Sequence, residues 1–182
     1  MVRTSVLEQG KVLTDFLPTP KWATQILLNR VTFNGSIWEP ACGNGKMSKV
    51  IKSAGYKVIS TDKFNHGYGK TGIDFLKEEK TRGDNIATNP PFKYAEKFVT
   101  HALSLDGVDQ VAMLLRTLFV ESKRRRNLFE NHKPERIIYI CDRVMFDGHT
   151  EEPGGGFSVS WFVWKRGFRG QTKCYWAYFD GL

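Results

Sequence analysis

"SIWEPACGNGKMSKVIKSAGYKVISTD", residues 36–62, is the stretch that decides the fold class. A short apolar run is followed by a turn with two glycines and then by Met47, Val50, Ile51 and Ala54, whose spacing is helical. A second short apolar run closes the stretch. The order predicts a strand, a helix and another strand, the unit from which mainly parallel sheets are built.

The same alternation continues to the end of the chain, which predicts an α/β protein with a mainly parallel sheet. We expect one domain over residues 1–182, with residues 1–12 loosely ordered. The expected helices lie at residues 19–30, 94–105 and 121–130, and the further expected strands at 72–76, 84–89, 111–116, 136–146 and 157–167, with a last run at 172–180 that extends the sheet.

The net charge indicates a polyanionic partner. Lys and Arg outnumber Asp and Glu by 27 to 19, a formal charge of +8. Such a surplus favours nucleic acid, although a basic surface without such a partner remains the alternative. No apolar run approaches the roughly 20 residues of a membrane span, and there is no secretory signal, so we expect a cytoplasmic protein of a bacterial or phage-infected cell.

Metal and disulfide chemistry are not indicated. The three cysteines are odd in number and widely separated, so they predict neither a disulfide framework nor a zinc site. The four histidines are scattered, and we expect no metal site. They are His66, His101, His132 and His149, and they are predicted to be surface residues.

Carboxylates follow three of the expected strands. Glu39 ends the first strand, before a turn in which Gly43 and Gly45 allow a ligand to approach the backbone closely. A carboxylate there suits an ammonium and would repel a phosphate. Asp62 is placed to accept hydrogen bonds from ribose hydroxyls, and Asp74, beside Phe75, from an adenine amine. Helix capping or solvation is the alternative for both aspartates.

Two glycine patterns do not predict a phosphate-binding loop. Gly67, Gly69 and Gly72 match G-x-G-x-x-G, but they precede a short strand rather than opening a helix. "GNGKMS", residues 43–48, lacks the first glycine and the Lys-Ser/Thr pair of an ATPase loop.

"TNPPF", residues 88–92, combines an amide, two prolines and an aromatic ring after an expected strand. Pro90 forces Asn89 into an extended conformation, so the Asn89 side-chain oxygen and the Pro90 carbonyl can converge. Two fixed acceptors can bind both protons of an aromatic amine and direct its lone pair to an electrophile. Phe92 offers a face on which an extracted base can stack. A stiff surface turn is the alternative.

Five segments together resemble a known family. "FLPTP", "WEPACGNG", "STD", "GIDF" and "TNPPF", within about residues 16–180, resemble the amino-methylating DNA methyltransferases of class I fold, especially small phage-type adenine methyltransferases. The resemblance implies a Rossmann-like fold with a mostly parallel seven-stranded sheet, an antiparallel C-terminal strand and helices on both faces. It also implies S-adenosylmethionine as cofactor and S-adenosylhomocysteine as product.

The resemblance assigns roles to individual residues. It implies that the cofactor's methionine carboxylate is capped at one turn, its amino-acid part is surrounded at a second, and its ribose and adenine are bound beyond. The implied cofactor residues are, in that order, Pro18, Thr19, Pro20 and Trp22; Glu39, Ala41, Cys42, Gly43, Asn44 and Gly45; Asp62; and Asp74 with Phe75, together with Asn89. The implied catalytic residues are Asn89, Pro90, Pro91 and Phe92.

The resemblance also implies the substrate. Asn at 89 and Phe at 92 favour the N6 amine of adenine over cytosine within the family. Related Asn-Pro-Pro-Tyr segments serve in protein glutamine and RNA methyltransferases, so these substrates remain alternatives, as does a non-catalytic nucleic-acid-binding module. The target base must be flipped out of a duplex or already single-stranded.

Two groups of basic residues are predicted to contact the nucleic acid. One follows the strand expected at 111–116, with a solvated helix face as the alternative, and the other lies at the end of the strand expected at 157–167. The loop at residues 147–156 is expected to close over the substrate. No stretch is long enough for a recognition domain, so we expect weak or short sequence specificity from a monomer, or a homodimer that adds a second surface. The predicted contact residues are Lys123, Arg124, Arg125, Arg126, Lys165 and Arg166.

Overall fold

The computed structural model describes residues 16–147 and 149–181. Its described residues form one sheet of seven strands in the order β2-β1-β3-β4-β6-β5-β7. The strands are β1 (Ile37–Glu39), β2 (Val58–Ser60), β3 (Asn85–Thr88), β4 (Gln110–Arg116), β5 (Arg136–Ile140), β6 (Val159–Lys165) and β7 (Lys173–Ala177). The predicted disorder of residues 1–12 lies outside the described residues.

The sheet is mostly parallel, as the sequence implied. β6 runs antiparallel to both neighbours, β4 and β5, whereas every other pair is parallel. The antiparallel strand is therefore the sixth along the chain. The last strand, β7, adds to the edge of β5 in parallel.

The strand predicted at residues 72–76 is wrong. Gly72 has a φ of 77°, and the Asp74 side chain accepts a hydrogen bond from the Leu76 N–H at 3.3 Å. These two features turn the backbone into a short 3-10 helix, Phe75–Lys77, which Asp74 caps. The seventh strand is instead the run at the C-terminal side, β7.

Helices cover both faces of the sheet. α1 (Lys21–Leu28) and α2 (Lys46–Ser53) pack on one face, and α3 (Ala95–Ser104) and α4 (Arg126–Asn131) on the other. Each face of the sheet has its own hydrophobic core. Successive residues of a strand point to opposite faces, so Ile37 packs in one core and its neighbour Trp38 in the other. None of the described helices is long and apolar enough to cross a membrane.

The strand directions decide where functional side chains meet. β1 ends at Glu39, β3 leads directly into Asn89, and β4 ends at Arg116, so all three residues lie at one edge of the sheet. β6 runs the other way, and Lys165 at its end pairs with Gln110 at the start of β4. Residues after β6 therefore lie at the opposite edge.

Candidate ligand-binding site

A cavity of about 800 Å³ opens at the carboxyl edge of the parallel strands. Ligands bind at this edge in open α/β sheets because loops diverge there. Most of the residues that the sequence assigned to a cofactor and to catalysis line it. They are Pro18, Thr19, Glu39, Ala41, Cys42, Gly43, Asn44, Asp62, Asp74, Phe75, Asn89 and Pro91.

Five assigned residues do not line this cavity: Phe92, which is described below, and four others. Trp22 is 3% exposed and packs edge-on against Phe179, so its side chain belongs to the core. Pro20 precedes α1, Pro90 is buried, and Gly45 precedes α2 with a φ of 78°. A Cβ at Gly45 would collide with the Tyr68 ring, so this glycine is required by packing.

Glu39 is a buried carboxyl group at the back of the cavity. It is 2% exposed and accepts a hydrogen bond from the Ser48 hydroxyl, which contacts Ser60 Oγ at 2.6 Å. Burial raises the pKa of Glu39 to about 8, so the group is protonated at neutral pH unless a cation binds beside it. An ammonium would supply that cation.

Asp62 joins two turns of the cavity wall. One carboxylate oxygen accepts from the Gly43 N–H at 2.8 Å and the other from the Phe64 N–H at 2.8 Å. Each carboxylate oxygen has two lone pairs, so both retain capacity for a ligand hydroxyl. At 7% exposure the group is largely shielded from water, which strengthens such bonds.

Asp74 both caps the short 3-10 helix and lines the cavity. Its second oxygen accepts from Lys63 Nζ at 3.0 Å, an ion pair with a largely exposed lysine. Phe75 is 2% exposed and packs against Trp38 and Phe98, and it contributes an apolar part of the cavity wall. The capping alternative therefore describes part of what Asp74 does.

Asn89 presents an unpartnered acceptor. Its side-chain nitrogen donates to the Leu17 carbonyl and to Thr19 Oγ1, both at 3.0 Å. These two bonds fix the amide, and its Oδ1 atom is buried without a hydrogen-bond partner among the described residues. Six buried side-chain polar atoms lack a partner among the described residues, and that of Asn89 is the one whose residue lines the cavity, where a ligand can supply the donor.

Phe92 lies on the far side of the same segment and lines a second, smaller pocket of about 270 Å³. Its ring makes edge contacts with Phe146 and Phe157, and the Arg116 guanidinium lies over it at 5.9 Å. Lys93 borders both the cavity and the pocket.

The predicted nucleic-acid residues divide into two groups. Arg124 and Arg125 line the smaller pocket, whereas Lys123 is exposed nearby and Arg126 pairs with Glu130 at 2.7 Å. These basic residues follow β4 and lie at the edge of the sheet where the cavity opens.

Lys165 and Arg166 lie at the opposite edge of the sheet from the cavity. Arg166 donates to the carbonyls of Val108 and Leu105 at 2.8 and 2.9 Å, and so joins the loop before β4 to the end of β6. The direction of β6, which the sequence pattern could not give, separates these two residues from the site. We therefore leave both out of the nucleic-acid surface.

An aromatic wall was not predicted from the sequence. Phe16 stacks on His66 with ring centroids 4.3 Å apart, and both line the cavity with Phe64. His66 is partly exposed and lines the cavity, a role that its prediction as a surface residue did not include. A Cβ at Gly43 would collide with the Phe16 ring, which explains the glycine. The "FLPTP" segment was the available signal for Phe16.

Glu151, in the loop at residues 147–156, contacts the first residues of α1 and α2. Glu151 accepts from the Lys21 N–H at 2.9 Å and pairs with Lys46 Nζ at 2.8 Å. Burial alone would raise the pKa of Glu151, but these bonds outweigh it and the net pKa lies below the usual range. Lys46 lines the cavity, so this loop meets the cavity's rim.

Cysteine and metal chemistry find no support at the cavity. Burial and the nearby carboxylates Glu39 and Asp62 raise the pKa of the Cys42 thiol to about 12, so it stays protonated. Within the part of the chain that the structure describes, no three His, Cys, Asp or Glu side chains are grouped to hold a metal ion.

No protein-family model and no curated protein matches this chain. Solved structures do match. A candidate class I S-adenosylmethionine-dependent methyltransferase from Listeria monocytogenes has a TM-score of 0.61 at 11% identity, covering 93% of this chain and 68% of that one. The modification subunit of a candidate type I restriction enzyme from Vibrio vulnificus YJ016 has a TM-score of 0.57 at 14% identity, covering 88% and 46%.

A dimethyladenosine transferase from Plasmodium falciparum is similar to the same degree, with a TM-score of 0.55 at 15% identity over 82% of this chain and 62% of that one. At such low identity these similarities concern the fold. The chain has the α/β, Rossmann-like fold of class I S-adenosylmethionine-dependent methyltransferases, which confirms the fold class that the sequence implied.

Proposed function

We propose that this protein transfers a methyl group from S-adenosylmethionine to the N6 amine of adenine in DNA, with weak or short sequence specificity. The observation that carries the proposal is the buried Oδ1 atom of Asn89, fixed by two hydrogen bonds and left without a donor at the cavity wall. A planar amine supplies the missing N–H.

The charges of the cavity fit this cofactor. We assign Glu39 to the ammonium group, Asp62 to the ribose hydroxyls, and Asp74 with Phe75 to the adenine, since all four line the cavity. The carboxylates suit a cationic group. Four lysines also line the cavity, and two of them are paired, Lys46 with Glu151 and Lys63 with Asp74. When bound, the cofactor supplies an electrophilic methyl group on a sulfonium.

Asn89 and Pro90 have the central role in the proposed mechanism. The Asn89 amide, fixed by Leu17 and Thr19, accepts a hydrogen bond from one N–H of the amine at its Oδ1 atom. The carbonyl of Pro90 accepts the other, which directs the nitrogen lone pair out of the ring plane and into the cavity. Because positioning and exclusion of water supply the rate, no charged base is needed at this segment.

Charge favours a nucleic acid as the substrate. The formal charge of +8 and the arginines beyond β4 suit a polyanion, and Arg124 and Arg125 lie beside the Asn-Pro-Pro-Phe segment. The name of one similar protein, a dimethyladenosine transferase, agrees with an adenine substrate. These cations do not suit a glutamine side chain of a protein.

Methyl transfer tests the proposal directly. Purified protein would be incubated with labelled cofactor and single-stranded DNA, duplex DNA, RNA or protein, and the nucleosides would be analysed by mass spectrometry. We expect N6-methyladenine in DNA. Asn89→Ala should lower the rate by about 10²–10³-fold, the usual cost of one preorganised hydrogen-bonding group at a reacting centre.

Asn29→Ala is the matched control, because Asn29 is exposed at the C-terminal end of α1, away from the cavity. It should methylate DNA at the wild-type rate. Methylation of RNA or protein in place of DNA would contradict the proposed substrate. An Asn89→Ala rate equal to that of Asn29→Ala would contradict the proposed mechanism.

A further inference from the structure

The smaller pocket beside Phe92 is lined by arginines, whereas no arginine is among the residues that line the cofactor cavity. We name it the Arg116 pocket and define it by Phe92, Lys93, Arg116, Leu118, Arg124 and Arg125, which line its volume of about 270 Å³. It lies against the Asn-Pro-Pro-Phe segment and shares Lys93 with the cofactor cavity. A ligand in this pocket would therefore lie next to the ligand group that hydrogen-bonds to Asn89.

The walls of the Arg116 pocket carry a surplus of positive charge. Four cationic side chains and one carboxylate, that of Glu96, line it, and four minus one leaves a formal +3. Glu96 pairs with Arg124 at 2.9 Å and lies 3.7 Å from Arg125. Lys93 and Arg116 have no carboxylate partner among the described residues.

Arg116 is held by aromatic rings alone. Its guanidinium lies 4.6 Å from the centroid of Phe157 and 5.9 Å from that of Phe92, and it makes no hydrogen bond within the described part of the chain. Packing on ring faces fixes the plane of a guanidinium and leaves its N–H groups free to bind. The arrangement suits the bidentate binding of a phosphate.

The other arginines play different parts. Only 15% of the Arg125 side chain is exposed, and its Nε donates to the Phe119 carbonyl at 2.6 Å, so it forms a fixed wall. Arg124 is 75% exposed at the mouth, where it can follow a mobile ligand. The rim also carries Leu118, an apolar side chain that is 55% exposed.

Cations beside an exposed leucine match a nucleotide, which has a charged phosphate and apolar sugar and base surfaces. We propose that the Arg116 pocket binds the phosphate next to the target adenosine in a DNA strand, with Arg116 as the main contact and Leu118 against the adjoining sugar or base. This inference rests on the proposed function. Apolar side chains such as leucine can insert between neighbouring bases and unstack them.

Binding, measured without catalysis, tests the pocket. The protein, saturated with S-adenosylhomocysteine, would be titrated into a fluorescein-labelled single-stranded oligonucleotide with one adenine, and anisotropy would be recorded. Arg116→Gln should weaken binding at least tenfold and lower the slope of log affinity against log salt by about 0.7, the value for one lost phosphate contact on a single strand.

Two further variants refine this comparison. Arg169→Gln removes the same charge from an exposed site between β6 and β7, and it should change the affinity less than twofold. Arg124→Gln should weaken binding by less than Arg116→Gln does, because Arg124 is more exposed and shares Glu96. Thermal unfolding of each variant shows whether the fold is retained.

Replacing single phosphates locates the contact. A set of oligonucleotides would each carry one neutral methylphosphonate at a different step from the adenine. The wild type should lose affinity mainly when the replaced phosphate adjoins the adenine, and Arg116→Gln should be insensitive to that replacement. An equal response to every replacement, or equal affinities of Arg116→Gln and Arg169→Gln, would overturn the assignment.

Free phosphate is the other source of the same chemistry. Inorganic phosphate and deoxyadenosine monophosphate would be tested as competitors, and the oligonucleotide should bind at least tenfold more tightly than either. If a free phosphate bound as tightly, the site would not be a DNA contact. The expected methylphosphonate pattern without any methylation of DNA would support the pocket and contradict the proposed function.

Discussion

The cofactor cavity and the Arg116 pocket both adjoin residues 89–93 and differ in their charged side chains. Three carboxylates, of Glu39, Asp62 and Asp74, line the cavity together with four lysines, and Glu39 and Asp62 are buried. The pocket has four cations and the single carboxylate of Glu96. The buried carboxylates of the cavity suit a cationic group, whereas the surplus of cations in the pocket favours an anion. One end of the sheet can thus bind two groups of opposite charge at different side chains.

The two regions also differ in how they maintain their charge. Glu39 is almost completely buried, and burial raises its pKa to about 8, so it is ionised at neutral pH only when a cation is bound. Arg116 is exposed and lies on aromatic faces, so it stays charged with no ligand present. Glu39 therefore becomes charged on binding, whereas the pocket carries its charge beforehand and can attract a strand from a distance.

Asp62→Ala is expected to have the largest effect. It should lower the affinity for S-adenosylhomocysteine by about 100-fold, since hydrogen bonds to charged groups contribute about 1.5–3 kcal/mol each and the backbone N–H groups of Gly43 and Phe64 lose their acceptor. Calorimetry gives the affinity. Oligonucleotide binding should stay within about twofold of wild type, because charges in the other region are unchanged.

The matched control is Asp106→Ala, which removes a fully exposed aspartate that lies close to Arg166 at the opposite edge of the sheet. It should bind both ligands as the wild type does. If Asp62→Ala lost oligonucleotide affinity as strongly as cofactor affinity, the two regions would not be separate sites.

Glu39→Gln is expected to have the next largest effect, and one that depends on pH. Below pH 8 the Glu39 carboxyl must release a proton when an ammonium binds, so wild-type affinity for S-adenosylhomocysteine should rise with pH by up to tenfold per unit and level off near pH 8. Glu39→Gln should show no such slope, and at pH 8 it should bind about tenfold more weakly. Calorimetry from pH 6 to 8.5 measures both.

The stability of the free protein gives an independent check on Glu39. A pKa raised from 4.5 to about 8 contributes stability that is fully present below pH 4.5 and is lost as the pH rises through 8. Glu39→Gln removes that loss, so the free variant should unfold at a higher temperature than wild type at pH 9. Higher stability together with unchanged cofactor affinity would mean that Glu39 does not bind the ammonium.

Much of the fold could be predicted because local sequence patterns determine where its strands and helices form. The strand, turn and helix of residues 36–62 formed as the spacing predicted, while residues 72–76 turned instead, because a capping hydrogen bond from Leu76 to Asp74 outweighed an apolar run. Residues that follow strands in sequence were easily placed at the cavity. The direction of β6, which sent Lys165 to the far edge, depends on pairing between distant strands, which no local pattern encodes.

The residues of the cavity wall also divide into those that a local sequence pattern could predict and those that depend on contacts between distant segments. Glu39 and Asn89 adjoin strand ends and were found from the sequence. The stack of Phe16 on His66 joins segments 50 residues apart through side-chain packing, so the "FLPTP" segment could point to Phe16 but not to its contact with His66. The ring-held Arg116 was missed for the same reason, since Phe157 comes from a distant loop.

Thr19→Val is expected to have the smallest effect, and it tests the boundary between the two regions. Thr19 Oγ1 is one of the two acceptors that orient the Asn89 amide, so the valine, which is nearly isosteric, removes one of the bonds and leaves the Leu17 carbonyl as the other. We expect kcat for methyl transfer to fall about fivefold, because one neutral hydrogen bond contributes about 1 kcal/mol.

Thr19→Ser is the matched variant, since it keeps the hydroxyl and should restore most of the rate. The affinity of Thr19→Val for S-adenosylhomocysteine should fall by less than kcat does, which would mark Thr19 as a positioning residue that acts through Asn89. Equal losses in Thr19→Val and Thr19→Ser would instead attribute the effect to packing of this buried side chain. A loss of cofactor affinity without a change in kcat would mean that Thr19 contributes to cofactor binding. The orientation of Asn89 would then depend on Leu17 alone.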